Sequence, residues 1–217
     1  MYAVINEHIE ALLGVINPAQ DVQPYVWLLQ VLPNTDVAGD REFQRVYRRY
    51  WQLNPARLSD QFYAAYFGHL QQLKGQTNAS VEAVARYLLA IPTHGDGRQS
   101  LQFSFSTKLV HMLRPDQPVY DNMVASFFFL PLGNANENAA AKLTKLLASY
   151  QFLVNEYTRI LHHGLLAHAI ARFREHFQVG SDYSDRKIID TLIWKFVGFL
   201  RSGAVRDGVV VYGKEKS

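Results

Sequence analysis

Cysteine is absent from the 217 residues, which excludes disulfides, thiolate metal sites, iron–sulfur clusters and a cysteine nucleophile. Long apolar runs are missing too. The stretch from Val124 to Leu132, interrupted by Ser126, falls far short of the roughly 20 residues that span a bilayer as a helix. Met1 to His8 holds no basic region leading into an uninterrupted apolar stretch, so no secretory leader is expected. These absences point to a cytoplasmic protein with no membrane partner. Charge of one sign is also scarce: 22 Lys plus Arg stand against 19 Asp plus Glu, a formal net charge of +3. That excess is compatible with nucleic acid without requiring it. Internal repeats and low-complexity segments are lacking, and so are the phosphate loop G-x-x-x-x-G-K-[ST], the G-x-G-x-x-G turn, the G-x-S-x-G elbow and the H-E-x-x-H helix.

What is present is a sequence of helical periods. Hydrophobic residues make up 48% and charged residues 19%, a balance that packs a core and argues against disorder. Apolar residues recur at three and four positions and are punctuated by proline and glycine. Ile5, Ile9, Leu12, Leu13 and Ile16 form a first stripe ending at Asn17-Pro18; Pro24 opens a second through Leu32; Asp40 or a nearby residue caps a third through Tyr50. Ser59 and Ser80 read as N-caps of the next two, the first with Gly75 just past its end and the second running from Val81 to Ile91. Further helices are expected over Gln99 to Leu113, from Asp121 into Phe127, over Ala139 to His162, over Leu165 to Phe177 and over Asp185 to Leu200, with a polar loop at Gly133 to Asn138. Val209 to Tyr212 has strand character but no evident partner. The expected fold class is all-α: residues 1–217 as a single helical unit, two interleaved lobes with a cleft near residues 94–124.

The segment from Gln99 to Val124 carries the most chemistry. On a helix from Leu101 to Leu113, Leu101, Phe105, Leu109 and Met112 share an apolar arc, while Ser104, Thr107, Lys108 and His111 fall at i, i+3, i+4 and i+7 on the other side. A narrow polar stripe of this kind is either the solvated face of an amphipathic helix or the wall of a cleft, where small hydroxyl residues beside a lysine and a histidine leave room for a ligand. Pro118-Val119-Tyr120-Asp121 then delivers a carboxylate to the start of the next helix. There Asp121 serves as an N-cap, or as a group that stabilises a cation or activates water.

The run Phe103-Ser104-Phe105-Ser106-Thr107-Lys108-Leu109-Val110-His111, followed by Pro118-Val119-Tyr120-Asp121, resembles a group of uncharacterised bacterial helical proteins with F-S-x-x-T-K-L-x-H and P-[IV]-Y-D segments. More distantly it is similar to the helix-hairpin-helix DNA glycosylases, particularly those of the archaeal 8-oxoguanine type. The resemblance implies a two-lobed helical fold, duplex DNA as partner, no cofactor and cleavage of an N-glycosidic bond on an extruded base. Asp121 matches the family aspartate. The family lysine position falls near Arg98 or Gln99, neither of them a lysine, and Lys108 lies deeper in the helix. The L-P-G-[VI]-G hairpin is missing, with Gly95-Asp96-Gly97 as its degenerate remnant. With glutamine at the nominal lysine position, the resemblance favours a monofunctional hydrolase or a catalytically dead DNA binder over a lyase. The implied site has Asp121 and Lys108 as catalytic groups and Gln99, Ser104, Thr107 and His111 as substrate-binding groups.

Other constellations are weaker. His162, His163, His168 and His176 offer no i, i+4 pair with a third carboxylate ligand, so no metal is expected. Arg45, Arg48 and Arg49 interleave with Tyr47, Tyr50 and Trp51, which reads as core-facing rings with solvated arginines rather than a base-stacking platform. Trp194 reads as core, and Asp190 as a partner for a basic residue across the bundle. A second functional class stands beside the glycosylase: a non-catalytic helical interaction module in a bacterial assembly.

Overall fold

The computed structural model describes residues 1–131, 137–203, 205–206 and 209–210. Helix dominates, as periodicity predicts. The order is α1 (Tyr2–Glu7), α2 (Ile9–Val15), a π-helical turn (Pro18–Val22), α3 (Gln23–Val31), α4 (Arg41–Tyr50), α5 (Asp60–Leu73), α6 (Val81–Leu89), α7 (Phe103–Leu113), α8 (Asn122–Phe127), α9 (Ala139–His162), α10 (Ala167–Phe177) and α11 (Asp185–Ser202). Two-residue strands β1 (Val205–Arg206) and β2 (Val209–Val210) pair antiparallel, giving the start of the tail's apolar run a partner that its sequence did not suggest. Val211 and Tyr212 lie outside the described residues, as do positions 133–136 of the expected polar loop.

Caps explain most boundaries. Asp40, Ser59, Ser80, Asn138 and Ser184 each accept from the backbone N–H three residues on, filling one of the orphan donors of a helix start. Gly75 and Gly203, at φ +76 and +72, supply the left-handed residue just past α5 and at the end of α11. The first stripe bends at His8, whose φ of −105° and ψ of 22° divide α1 from α2. The Asn6 side chain donates to Leu165 O at 2.9 Å and accepts from Ala169 N at 3.1 Å, tying this end of the chain to the start of α10.

The largest departure from the predicted helices is the start of α7, four residues later than Gln99. Thr93 is fully buried and closes the preceding loop: its N–H and hydroxyl both donate to Arg98 O, at 2.8 and 2.9 Å. That clasp holds the chain out of helical register until Gln102. From Phe103 on, α7 is the central helix. It packs along α6, and every residue from Phe105 to Met112 is buried. The polar stripe is therefore not a solvated face. The bundle surrounds it, and each polar group on it has found an internal partner or a cavity. Buried apolar residues of all the α-helices form one continuous core. Phenols stitch it together: Tyr47 and Tyr66 hydroxyls lie 2.7 Å apart, Tyr66 donates to Phe105 O at 3.1 Å, and Tyr63 donates to Leu53 O at 2.9 Å. These bonds let α4, α5 and α7 bury polar rings without leaving their hydroxyls unpaired.

Candidate active site

Five segments converge on a cleft of about 460 Å³, within the range of roughly 300–1,000 Å³ for ligand sites. The π-helical turn contributes Gln20 and Asp21, and the end of α4 contributes Arg49, Tyr50, Trp51 and Gln52. Ser104, Phe105 and Lys108 enter from α7, and Asp121, Asn122 and Met123 from the start of α8. On α11, Lys187, Asp190, Thr191, Trp194 and Lys195 occur at i, i+3, i+4, i+7 and i+8, one face of a helix.

Lys108 is 8% exposed, and its Nζ donates to Trp51 O at 3.0 Å. Among the described residues no carboxylate oxygen lies within 4.0 Å of it. Burial holds this amine below the ordinary lysine range, with Asp121 and Asp190 pulling it up and the Lys187 charge adding to the depression. Asp121 caps α8: its Oδ1 accepts from Met123 N at 2.9 Å and Val124 N at 3.0 Å. Oδ2 makes no hydrogen bond among the described residues. Burial and the charge of Asp190 raise this carboxyl above the usual range, opposed by Lys108 and the two cap N–H groups. Of the two readings that the sequence allows for Asp121, the geometry shows the N-cap.

Asp190 and Lys187, one turn apart on α11, form a buried ion pair at 2.7 Å through Oδ2. The Lys187 ammonium also lies 4.7 Å from the Trp51 ring, 5.4 Å from Tyr50 and 5.5 Å from Tyr25. Burial pushes this lysine down, but Asp190 and Tyr183 outweigh it and hold its pKa above the ordinary value. The two buried lysines are thus driven apart: Lys187 is fixed as a cation, and Lys108 is moved toward the neutral amine. Among the described residues, two buried polar atoms of this wall have no hydrogen-bond partner, Asp190 Oδ1 and Trp51 Nε1. Both are enclosed in the protein beside the cleft rather than exposed to it. At the rim, Lys195 pairs with Asp21 at 2.6 Å across 174 residues of sequence.

Of the six residues singled out from sequence, Ser104, Lys108 and Asp121 line the cleft. Thr107, His111 and Gln99 do not. Thr107 is fully buried, and its hydroxyl accepts from Tyr120 N at 3.1 Å, locking the Pro118–Asp121 segment against α7. His111 is buried in the core. Its Nδ1 lies 2.6 Å from Gln117 O and its Nε2 2.8 Å from the Tyr25 hydroxyl. A carbonyl only accepts, so Nδ1 carries the proton and Nε2 accepts from the tyrosine. Burial drives its pKa down to about 3, and it is a neutral core group. Gln99 is exposed and donates to Ala90 O at 2.9 Å.

The α11 wall escaped the sequence reading. Asp190 pairs with Lys187 on its own helix rather than across the bundle, and Trp194 is half-buried on the cleft wall rather than in the core. The available signal was charge inside an apolar window: Lys187 and Asp190 flank Ile188 and Ile189 and precede Leu192 and Ile193. Tyr47 and Trp51 are buried, Arg45 is a solvated partner of Glu42, and Arg48 stacks on Tyr63 at 3.8 Å. Among the described residues no three His, Asp or Glu side chains are placed to hold a metal, and no helix is long and apolar enough to cross a membrane. Comparison with protein families, with curated proteins and with solved structures returns no match.

Proposed function

We propose that this chain is a DNA-glycosylase-like base-excision enzyme with a two-lobed helix-hairpin-helix type of fold, acting on a base extruded from duplex DNA into the cleft. The observation that carries the proposal is Lys108: a buried lysine with depressed basicity, hydrogen-bonded to the Trp51 carbonyl and, among the described residues, to no carboxylate, on the same cavity wall as Asp121. Holding a lysine in this state is costly, and a neutral amine is what nucleophilic attack on an acetal-like carbon requires. In the proposed step the Lys108 nitrogen forms a bond to the sugar C1′ as the C1′–base bond breaks. The base leaves with the electron pair and takes up one proton from the nitrogen; the C1′–O4′ bond then breaks with its pair going to O4′, which receives the second nitrogen proton as C1′=N forms the Schiff base. Asp121 stabilises the cationic character that grows on the sugar. Since Gln99 sits outside the cleft and Lys108 within it, the amine-dependent route is preferred to the hydrolytic one expected from the glutamine.

Arg49, exposed at the cleft wall, is available for phosphate.

The test is borohydride trapping on a panel of duplexes carrying 8-oxoguanine, uracil or hypoxanthine. A covalent protein–DNA adduct is expected with the parent chain and none with Lys108→Met. Excision without an adduct would return the assignment to a hydrolase. Neither excision nor salt-sensitive duplex binding would leave the non-catalytic interaction module as the reading.

A further inference from the structure

The charges around the cleft do not cancel. Asp21 is matched by Lys195 at 2.6 Å, and Asp190 by Lys187 at 2.7 Å. Among the described residues, three charge-bearing side chains of the wall stand outside these pairs: Lys108, Asp121 and Arg49. Lys108 donates to a carbonyl, which neutralises nothing. Asp121 gives only Oδ1 to its cap. Its Oδ2 accepts no hydrogen bond among the described residues and, unlike Asp190 Oδ1, it is not one of the enclosed atoms. An oxygen of a cleft-lining carboxyl that is neither bonded nor enclosed is accessible to a ligand. Arg49 is exposed on the wall and forms no ion pair among the described residues. Lys108 is pushed toward its uncharged form by burial, and Asp121 by burial and the charge of Asp190. The guanidinium is thereby left without a counter-ion. A ligand that completes this wall offers an electrophilic carbon to the amine and an anion to the guanidinium.

We propose that the cleft forms imines with small carbonyl compounds that bear a carboxylate: Lys108 is the nucleophile, Asp121 carries the protons, and Arg49 binds the anion. Imine formation here uses the same Lys108 amine as the excision reading but needs no DNA. The Lys108 lone pair forms the C–N bond as the carbonyl π pair moves to oxygen, which takes the Asp121 proton. The nitrogen then returns a proton to the Asp121 carboxylate, leaving a neutral carbinolamine. In the second half Asp121 protonates the hydroxyl; the C–O bond breaks, water leaves with the pair, and the nitrogen lone pair closes the C=N bond. The products are water and a protonated imine whose charge is balanced by the Asp121 carboxylate.

The full chain is treated at pH 7 with sodium cyanoborohydride and one of two aldehydes of similar size: glyoxylate, which has the carboxylate, or glycolaldehyde, which does not. After digestion, mass spectrometry reads the labelling of each lysine. Lys145, exposed on α9, is the internal reference that removes the intrinsic reactivity of each aldehyde. In the parent, glyoxylate is expected to label Lys108 over Lys145 by about ten-fold or more, since a neutral amine and a bound carbonyl both favour attack. The same ratio with glycolaldehyde is expected to be at least about three-fold lower, the worth of a charge-assisted contact to an exposed guanidinium. Arg49→Met, at an exposed position, should equalise the two ratios. Asp121→Asn, which keeps the cap, should lower both by about ten-fold or more. Lys108 labelled no more than Lys145 would overturn imine formation, whatever happens with duplex DNA; a covalent DNA adduct beside an unlabelled Lys108 would leave the excision reading to stand alone. A parent with equal ratios, or an Arg49→Met protein that keeps the glyoxylate preference, would overturn the anion site. An Asp121→Asn protein labelled as fully as the parent would remove Asp121 from the proton transfers.

Discussion

Replacing His111 by glutamine should change how the protein answers acid more than how it answers denaturant at neutral pH. The imidazole is 1% exposed, accepts from Tyr25, donates to Gln117 O, and has its pKa driven from 6.5 to about 3. In the unfolded chain it takes up a proton below about 6.5; in the folded chain it does not until about 3. Across that window the unfolded state binds more protons, so stability falls as pH falls, by about 1.4 kcal/mol per unit. Over the whole window the loss is on the order of 5 kcal/mol, a large share of the roughly 5–15 kcal/mol a domain has. Glutamine reproduces both hydrogen bonds, since its amide donates and its oxygen accepts, but it does not titrate. It forfeits the ring contacts to Trp51 and Tyr25, each at a centroid distance of 5.6 Å, at a cost of about 1–2 kcal/mol. Urea unfolding at pH 7, 6, 5 and 4 should therefore give two curves that cross, the parent more stable at neutral pH and His111→Gln more stable below about pH 5. His69, lowered by partial burial, acts in the same direction but is common to both proteins and cancels in the difference. Parallel curves between pH 6.5 and 4.5 would refute the argument.

Lys108→Met should stabilise while it inactivates. Losing a charged hydrogen bond costs about 1.5–3 kcal/mol, whereas relieving a buried ammonium returns several kcal/mol. The net expectation is a gain of about 1 kcal/mol, a rise of roughly 2–4 °C in Tm. Because the folded lysine is depressed below 10.5, the parent should gain stability as pH rises toward 10.5 and the methionine variant should lose that increment; a Tm drop of several degrees would make Lys108 a structural strut. Asp121→Asn should keep Tm within about 2 °C, since asparagine caps as well as aspartate and the carboxyl is already disfavoured as an anion, while abolishing any base excision; retained excision removes Asp121 from the chemistry. Phe129, 85% exposed with φ at +55°, pays for a left-handed backbone without packing in return. Phe129→Gly should stabilise by about 0.5–1 kcal/mol in urea melts, and a loss of stability would mean that the ring makes contacts in solution that offset the strain.

The helix order and most boundaries were legible in the chain because they are local. Asp40, Ser59 and Ser80 cap their helices through the third residue on, and α9 runs from Ala139 to His162 as its period requires. Such features depend on spacings of a few residues, which are written along the sequence. What lies around a helix is not. Ser104, Thr107, Lys108 and His111 share a face by spacing, yet only tertiary packing set that face inside the bundle. Packing also sent Ser104 and Lys108 to the cleft and gave Thr107 and His111 backbone partners from the 117–120 segment. The α11 wall depended on packing altogether. Lys187 and Asp190 are an ordinary i, i+3 pair until Tyr25, Tyr50 and Trp51, more than 130 residues away in sequence, close over them and strip their water. Sequence determined which groups could bear charge, and the fold decided their dielectric and their partners.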